Sequence, residues 1–229
     1  MPPKAANAQS SQAALKALEL NDMLAEAHAM MAVLRASEYD WKGAEREFRR
    51  ALELDPQSED VWSAYDYSYL VPMRRLDEAV AASRRALELD PLSPFLHFRL
   101  GYRYWLTRQW DRAIEQCRNA LELDPHYAVA NLFLGGSYAL IGKLDEAIRS
   151  METYAQLMGR SPMALGWLGS VYVSLGRIGE ARKLLEELQE LAPRYAPRNG
   201  NFVLVTYCVR SDFTAASAVN SHGNVSFSI

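Results

Sequence analysis

Few residues of this 229-residue chain could do covalent or metal chemistry, and their spacing argues against it. His28, His97, His126 and His222 are scattered along the length, and Cys117 and Cys208 form no CxxC. Neither a zinc-ligand set nor a nucleophile with its base arises from such spacing. The stretch GSYALIGKL, Gly136 to Leu144, approaches a phosphate loop. It has five residues between its glycines instead of four, and Leu144 where a hydroxyl must meet magnesium. No catalytic residue, metal site or cofactor is therefore expected. What remains is recognition chemistry: Phe98, Tyr102 and Trp105 follow i, i+4, i+7 on one helix face, with Arg99 beside them. Large rigid aromatics next to an arginine are the side chains that dominate binding hot spots, because they bury much area for little lost entropy.

The elements that must position these residues announce themselves by repetition. ALELDP occurs at Ala51, Ala86 and Ala120, and ALELND at Ala17, so the copies start 34, 35 and 34 residues apart. A fixed period of that size marks a repeat architecture, whose units cannot bury their apolar faces alone. Within one period, Leu96, Leu100 and Tyr104, then Ala113, Cys117, Ala120 and Leu121, recur at helical spacing in two runs broken near Thr107 to Asp111. Each unit is thus two helices and a turn. Asp-Pro stops the second helix, because proline lacks an N–H and disfavours the α conformation in the residue before it. Small residues, Gly101 and Gly135 in first helices and Ala44, Ala79, Ala113, Ala147 and Ala181 in second helices, let backbones approach closely.

Leu100-Gly101-Tyr104-Ala113-Ala120-Pro125 and Leu168-Gly169-Tyr172-Ala181-Leu185-Pro193 resemble the tetratricopeptide repeat. The resemblance implies an all-α, right-handed α-solenoid of helix-turn-helix repeats. It covers residues 25–195, read as five units at 25–58, 59–93, 94–127, 128–161 and 162–195, after residues 1–24 with a half repeat and before a divergent tail at 196–229. The second unit has one extra residue, expected in its inter-helix turn around Pro72. Departures from the family pattern are Met31-Ala32 in the first unit, Tyr65-Asp66 in the second and Met158-Gly159 in the fourth. YDWKGAEREFRRALELDP and LDEAVAASRRALELDPLSP also resemble repeat arrays at the C-termini of bacterial signalling and regulator proteins, although no catalytic or DNA-binding domain accompanies them here.

The resemblance also implies that first helices line the ligand face. Outward positions are read as Met30 and Val33, then Ser63, Tyr67 and Leu70, then Phe98, Arg99, Tyr102 and Trp105, then Leu132, Phe133 and Gly136, and last Trp167 and Ser170. The expected groove residues are Tyr67, Phe98, Arg99, Tyr102, Trp105, Phe133 and Trp167. Where many family members place the Lys and Asn that grip a peptide carboxylate, this chain has Ala29 and Val33, Ser63 and Tyr67, Phe98 and Tyr102. The expected function is a protein-interaction scaffold holding an apolar helical or extended peptide, and the alternative is a regulatory, self-associating module. His28 and His97, where the family usually has Trp, are read as packing residues.

A net charge of −3 gives no bulk attraction to nucleic acid or acidic membranes. Glu45, Arg46, Arg49, Arg50, Arg84, Arg85, Arg182 and Lys183 lie on second helices, where mixed signs at three- and four-residue spacing read as a solvated face. No 18-residue apolar run or signal-like N-terminus is present, so the expectation is a cytoplasmic protein with protein or peptide partners, homo-oligomers among them, and neither membrane nor nucleic acid.

Overall fold

The computed structural model describes residues 3–195, and among these every regular element is helical. The expected divergent tail 196–229, with Cys208 and His222, lies outside the described residues. The chain divides into two units, Met1–Leu123 and Asp124–Ile229. The N-terminal unit contains α1 (Pro3–Leu20), α2 (Ala25–Ser37), α3 (Trp41–Leu54), α4 (Glu59–Tyr65, continued by a π turn at Asp66–Leu70), α5 (Leu76–Leu89), α6 (Pro94–Leu106) and α7 (Trp110–Leu123). The C-terminal unit contains α8 (Ala128–Leu140), α9 (Leu144–Leu157), α10 (Pro162–Ser174) and α11 (Ile178–Tyr195).

The hexapeptide that sets the period does three things. Ala51, Ala86 and Ala120 are fully buried, the leucine after each is half-buried, and the glutamate is exposed. The helix then ends at the next leucine, and Asp55 and Asp90 take extended backbone ahead of their prolines. The Asp55 and Asp124 carboxylates accept from the amides of Gln57 and His126, both at 2.9 Å, and so build the turn into the next unit. Ser58 and Ser93 then cap α4 and α6 by accepting from Val61 N and Leu96 N.

Each helix pair closes through a left-handed residue two positions before the second helix: Tyr39, Arg74, Arg108, Gly142 and Gly176. The small residues at the crossing are required by distance. A Cβ on Gly135 would lie 2.8 Å from Met151 Cγ and 3.1 Å from the Ala147 carbonyl. Cores form locally as the period demands, with Phe48, Tyr65, Tyr69 and Leu70 among the buried side chains of one cluster, and Leu165, Leu168, Tyr154 and Leu188 in another within the C-terminal unit.

The extra residue of the second repeat is not in its inter-helix turn. Hydrogen bonds from Met73, Arg74 and Arg75 to Tyr69, Val71 and Leu70 repeat the pattern that Thr107, Arg108 and Gln109 make to Arg103, Trp105 and Tyr104. The insertion is instead absorbed in the first helix, where Val71 N reaches back five residues to Asp66 O at 3.0 Å. Pro72 explains the site: it has no N–H to give and its ring would crowd the carbonyl four residues earlier, which a widened turn relieves. The π turn also rotates the residues at its C-terminal end, so Leu70, expected to point outward, is buried in the core. Ser63, expected outward as well, is buried with its hydroxyl donating to Glu59 at 2.8 Å.

Candidate functional site

Asp66, the first residue of the π turn, stands where Gly101 stands in the next repeat, and its carboxylate is fully enclosed at 0% exposure. Such a group needs partners, since an unpaired buried charge is expensive. It accepts from Arg103 Nε at 2.7 Å and Nη2 at 2.9 Å, from Arg99 Nη2 at 3.0 Å, and from the Ser83 hydroxyl at 2.7 Å. Arg103 is itself 2% exposed, and Arg99 donates also to the Ser63 carbonyl at 2.9 Å. One carboxylate on α4 thus ties down two arginines of α6 and a serine of α5. Burial pushes the Arg99 guanidinium below its ordinary pKa, with the Asp66 charge opposing that shift.

On its solvent side, Arg99 lies 5.3 Å from the ring centres of both Tyr67 and Phe95. Tyr67 is 67% exposed and Phe95 48%. The charge is held from behind while two exposed rings rest on its flat guanidinium, a cation–π arrangement. Further along α6, the Phe98 and Tyr102 rings are stacked at 6.4 Å and 9°, Tyr102 and Trp105 at 6.4 Å and 22°, and Trp105 meets Trp110 edge-on at 6.0 Å. Arg103 sits 5.2 Å from the Tyr102 ring. Phe98, Tyr102 and Trp105 are half-buried, whereas Leu100, Gly101 and Tyr104 of the same helix are buried. The N-terminal unit therefore brings together Tyr67, Phe98, Arg99, Tyr102 and Trp105. In the C-terminal unit, Phe133 is half-buried on α8 and Trp167 is 52% exposed on α10.

Reading the sequence missed Phe95, Asp66 and Arg103. The available signal was a charged residue at the small-residue position of one first helix and an arginine at an inward position of a later one.

His28 and His97 do structural work. His28 Nε2 meets the Asp22 carbonyl at 3.0 Å, His97 Nε2 the Pro91 carbonyl at 3.1 Å, and Trp62 Nε1 the Pro56 carbonyl at 3.1 Å, each six residues back. The other ring nitrogen faces Glu47 from His28 and Gln116 from His97, both at 2.8 Å. Each ring joins a first helix to the end of the preceding helix. The buried Cys117 thiol is pushed up to about 12 by burial, which removes it as a nucleophile in the folded chain. Among the described residues no group of three or more His, Cys, Asp or Glu is placed to hold a metal ion, and no helix is long and apolar enough to cross a membrane.

Comparison with known proteins bears on the nature of this arrangement. Tetratricopeptide repeat family models match residues 94–127 and 164–195. No curated protein matches the sequence. Among solved structures, the chain is similar to PilW, a type IV pilus biogenesis factor, at 20% identity and TM-score 0.74, covering 87% of this chain and 90% of that one. It is similar to YrrB, described as a TPR protein with an unusual peptide-binding site, at 20% identity and TM-score 0.66, covering 92% and 99%. It is similar to the MamA protein at 22% identity and TM-score 0.66, covering 75% and 94%. The helix pairs, their crossings and these matches agree: the fold is an all-α solenoid of helix-turn-helix repeats, and two of its segments, residues 94–127 and 164–195, match the tetratricopeptide repeat.

Proposed function

We propose that the chain is a protein-interaction scaffold that holds an apolar helical or extended peptide of a protein partner on its first-helix faces. In the N-terminal unit the contact residues are Tyr67, Phe98, Arg99, Tyr102 and Trp105; in the C-terminal unit they are Phe133 and Trp167. The observation that carries this reading is the Arg99 arrangement, with Tyr67 and Phe95 exposed on a guanidinium whose charge is already bonded to Asp66. A ring held that way gives up little freedom on binding, which is what makes a hot spot strong. Because Arg99 is bonded behind, its role on this face is to support the rings. The peptide-binding site ascribed to YrrB fits the same reading.

The test is to select peptides on the intact chain from a displayed random library, then measure their affinity for the wild-type chain and for Tyr67→Ala. Tyr67 is exposed, so unchanged circular dichroism is expected. A loss of roughly tenfold or more for the selected peptides supports the reading, since that corresponds to at least about 1.4 kcal/mol at one side chain. Peptides that bind the Tyr67→Ala and Tyr102→Ala variants as tightly as wild type would sink it.

A further inference from the structure

The third and fifth repeats surround the same tyrosine with opposite charge. Tyr104 and Tyr172 stand two periods apart, 68 residues, and so do the residues about them: Arg84 and Glu152, Gln109 and Arg177, Arg112 and Glu180. In the fifth repeat those neighbours are two carboxylates and one guanidinium. Tyr172 donates to Glu152 at 2.5 Å, while Arg177 lies 5.2 Å from the ring centre and donates to Glu180 at 2.7 Å. The second repeat is closed in the same manner. Glu45 is hydrogen-bonded to Tyr69 and accepts from Arg75 at 2.7 Å, and Arg75 lies 5.6 Å from the Tyr69 ring centre.

In the third repeat the carboxylates are gone. Arg84 Nη2 donates to the Tyr104 hydroxyl at 3.3 Å, and Arg112 lies 5.6 Å from the ring centre, donating through Nη1 to Gln109 Oε1 at 2.8 Å. The hydroxyl oxygen accepts from Arg84, so its own proton is left over, and the described residues supply no acceptor for it. Neither guanidinium has a carboxylate within ion-pair distance among the described residues. Glu88, one turn beyond Arg84, is taken by Arg85 at 3.0 Å. Both arginines are exposed, whereas Tyr104 is 6% exposed and packed with Val80, Leu100 and Ala113. A hydroxyl fixed by the core is thus bordered by two cations.

We propose that Arg84, Tyr104 and Arg112 form a docking site for one carboxylate, a Glu or Asp side chain of a partner protein, beside α5 and α7 of the N-terminal unit. The chain itself indicates the occupant: at Tyr69 and at Tyr172 a carboxylate receives this hydroxyl beside a stacked guanidinium, and the third repeat leaves that place to be filled from outside. A carboxylate there accepts from the hydroxyl and from charged donors, which are stronger than neutral ones, and relieves the repulsion between two like charges. The core has already fixed the ring, so little freedom is lost when the site fills. None of the residues assigned to peptide contact takes part, so the site stands or falls independently of that reading.

The probe is a capped glutamate, N-acetyl-glutamate N-methylamide, titrated into the intact chain at constant ionic strength, with the capped glutamine and inorganic phosphate as comparisons. Binding is read from the Arg Nε–Hε resonances, assigned with Arg84→Lys and Arg112→Lys. The expected result is a saturable shift of Arg84 and Arg112 together, with the exposed Arg74 and Arg108 unmoved and no response to the glutamine. Tyr104→Phe should weaken the capped glutamate roughly fivefold, the loss of one hydrogen bond. Arg84→Glu copies the fifth repeat, so it should raise the thermal midpoint and abolish the Arg112 response. A linear drift shared by all four arginines would overturn the proposal, as would phosphate binding where the capped glutamate does not. So would a lowered midpoint in Arg84→Glu.

Discussion

Asp66 of the second repeat and Arg103 of the third face each other through two hydrogen bonds, 2.7 and 2.9 Å long, with almost no water at either residue. The pair connects α4 to α6, the first helices of successive repeats, and Ser83 of α5 completes it. The same carboxylate fixes Arg99, and Arg99 carries the exposed rings.

Breaking that pair from one side should cost far more than replacing it. Asp66→Ala strands two guanidiniums in the interior and is expected to lose about 3–5 kcal/mol in urea unfolding. The double variant Asp66→Ala with Arg103→Leu removes the stranded charge of Arg103 and should recover part of that loss. A double variant as unstable as the sum of the singles would show that the two residues act independently.

Asn131 occupies the place held by His28, Trp62 and His97 in the earlier repeats, yet its buried Nδ2 has no hydrogen-bond partner among the described residues. An amide is too short to reach the carbonyl six residues back, at Pro125, as the longer rings do. Ser150, 19 residues on, stands where Glu47 and Gln116 receive the second ring nitrogen. Asn131→His is therefore expected to stabilise the C-terminal unit by about 1 kcal/mol, seen as a higher thermal midpoint. A lower midpoint would mean that the pocket cannot take the ring.

Arg75 donates to Glu45 at 2.7 Å and to Glu78 at 2.6 and 2.5 Å, so it holds both carboxylates below the ordinary glutamate value of 4.5. Groups whose folded pKa is depressed contribute stability that is complete above the unfolded value and is lost as pH falls through the folded one. Stability should thus decline from about pH 4.5 downward. Arg75→Gln should lower stability at neutral pH and flatten that acid decline. The Glu78 side chain is 55% exposed and that of Glu45 28%, so solvent screens the interaction and the effect is modest. An acid limb equally steep in the variant would assign the decline to other groups.

Much of the architecture could be read before any coordinates. The repeated hexapeptide carries its own instructions: alanine for close contact, leucine for the core, and Asp-Pro to stop a helix and begin a turn. Gly101 and Gly135 likewise declare a tight crossing. Phe98, Tyr102 and Trp105 could be set apart from Leu100 and Tyr104 because helical spacing divides the two faces of their own helix. These features are legible because they depend on neighbours three, four or seven residues away.

The features that stayed hidden depend on partners far along the chain. The sequence counted one extra residue in the second repeat and pointed to the inter-helix turn around Pro72, whereas the first helix absorbs it in a π turn whose Asp66 and Leu70 are buried, a choice made by packing that local pattern does not display. Left-handed backbone at Tyr39, Arg74 and Arg108 was invisible in residue types that rarely adopt it. Above all, the sequence set Arg99 among the groove residues and gave no sign of its bond to an aspartate 33 residues earlier. Local pattern was enough for the repeat and its helix pairs, though not for every face, as the buried Ser63 and Leu70 show. Which charges are consumed inside the fold was settled by packing, because a buried ion pair is set by the meeting of helices that no local spacing brings together.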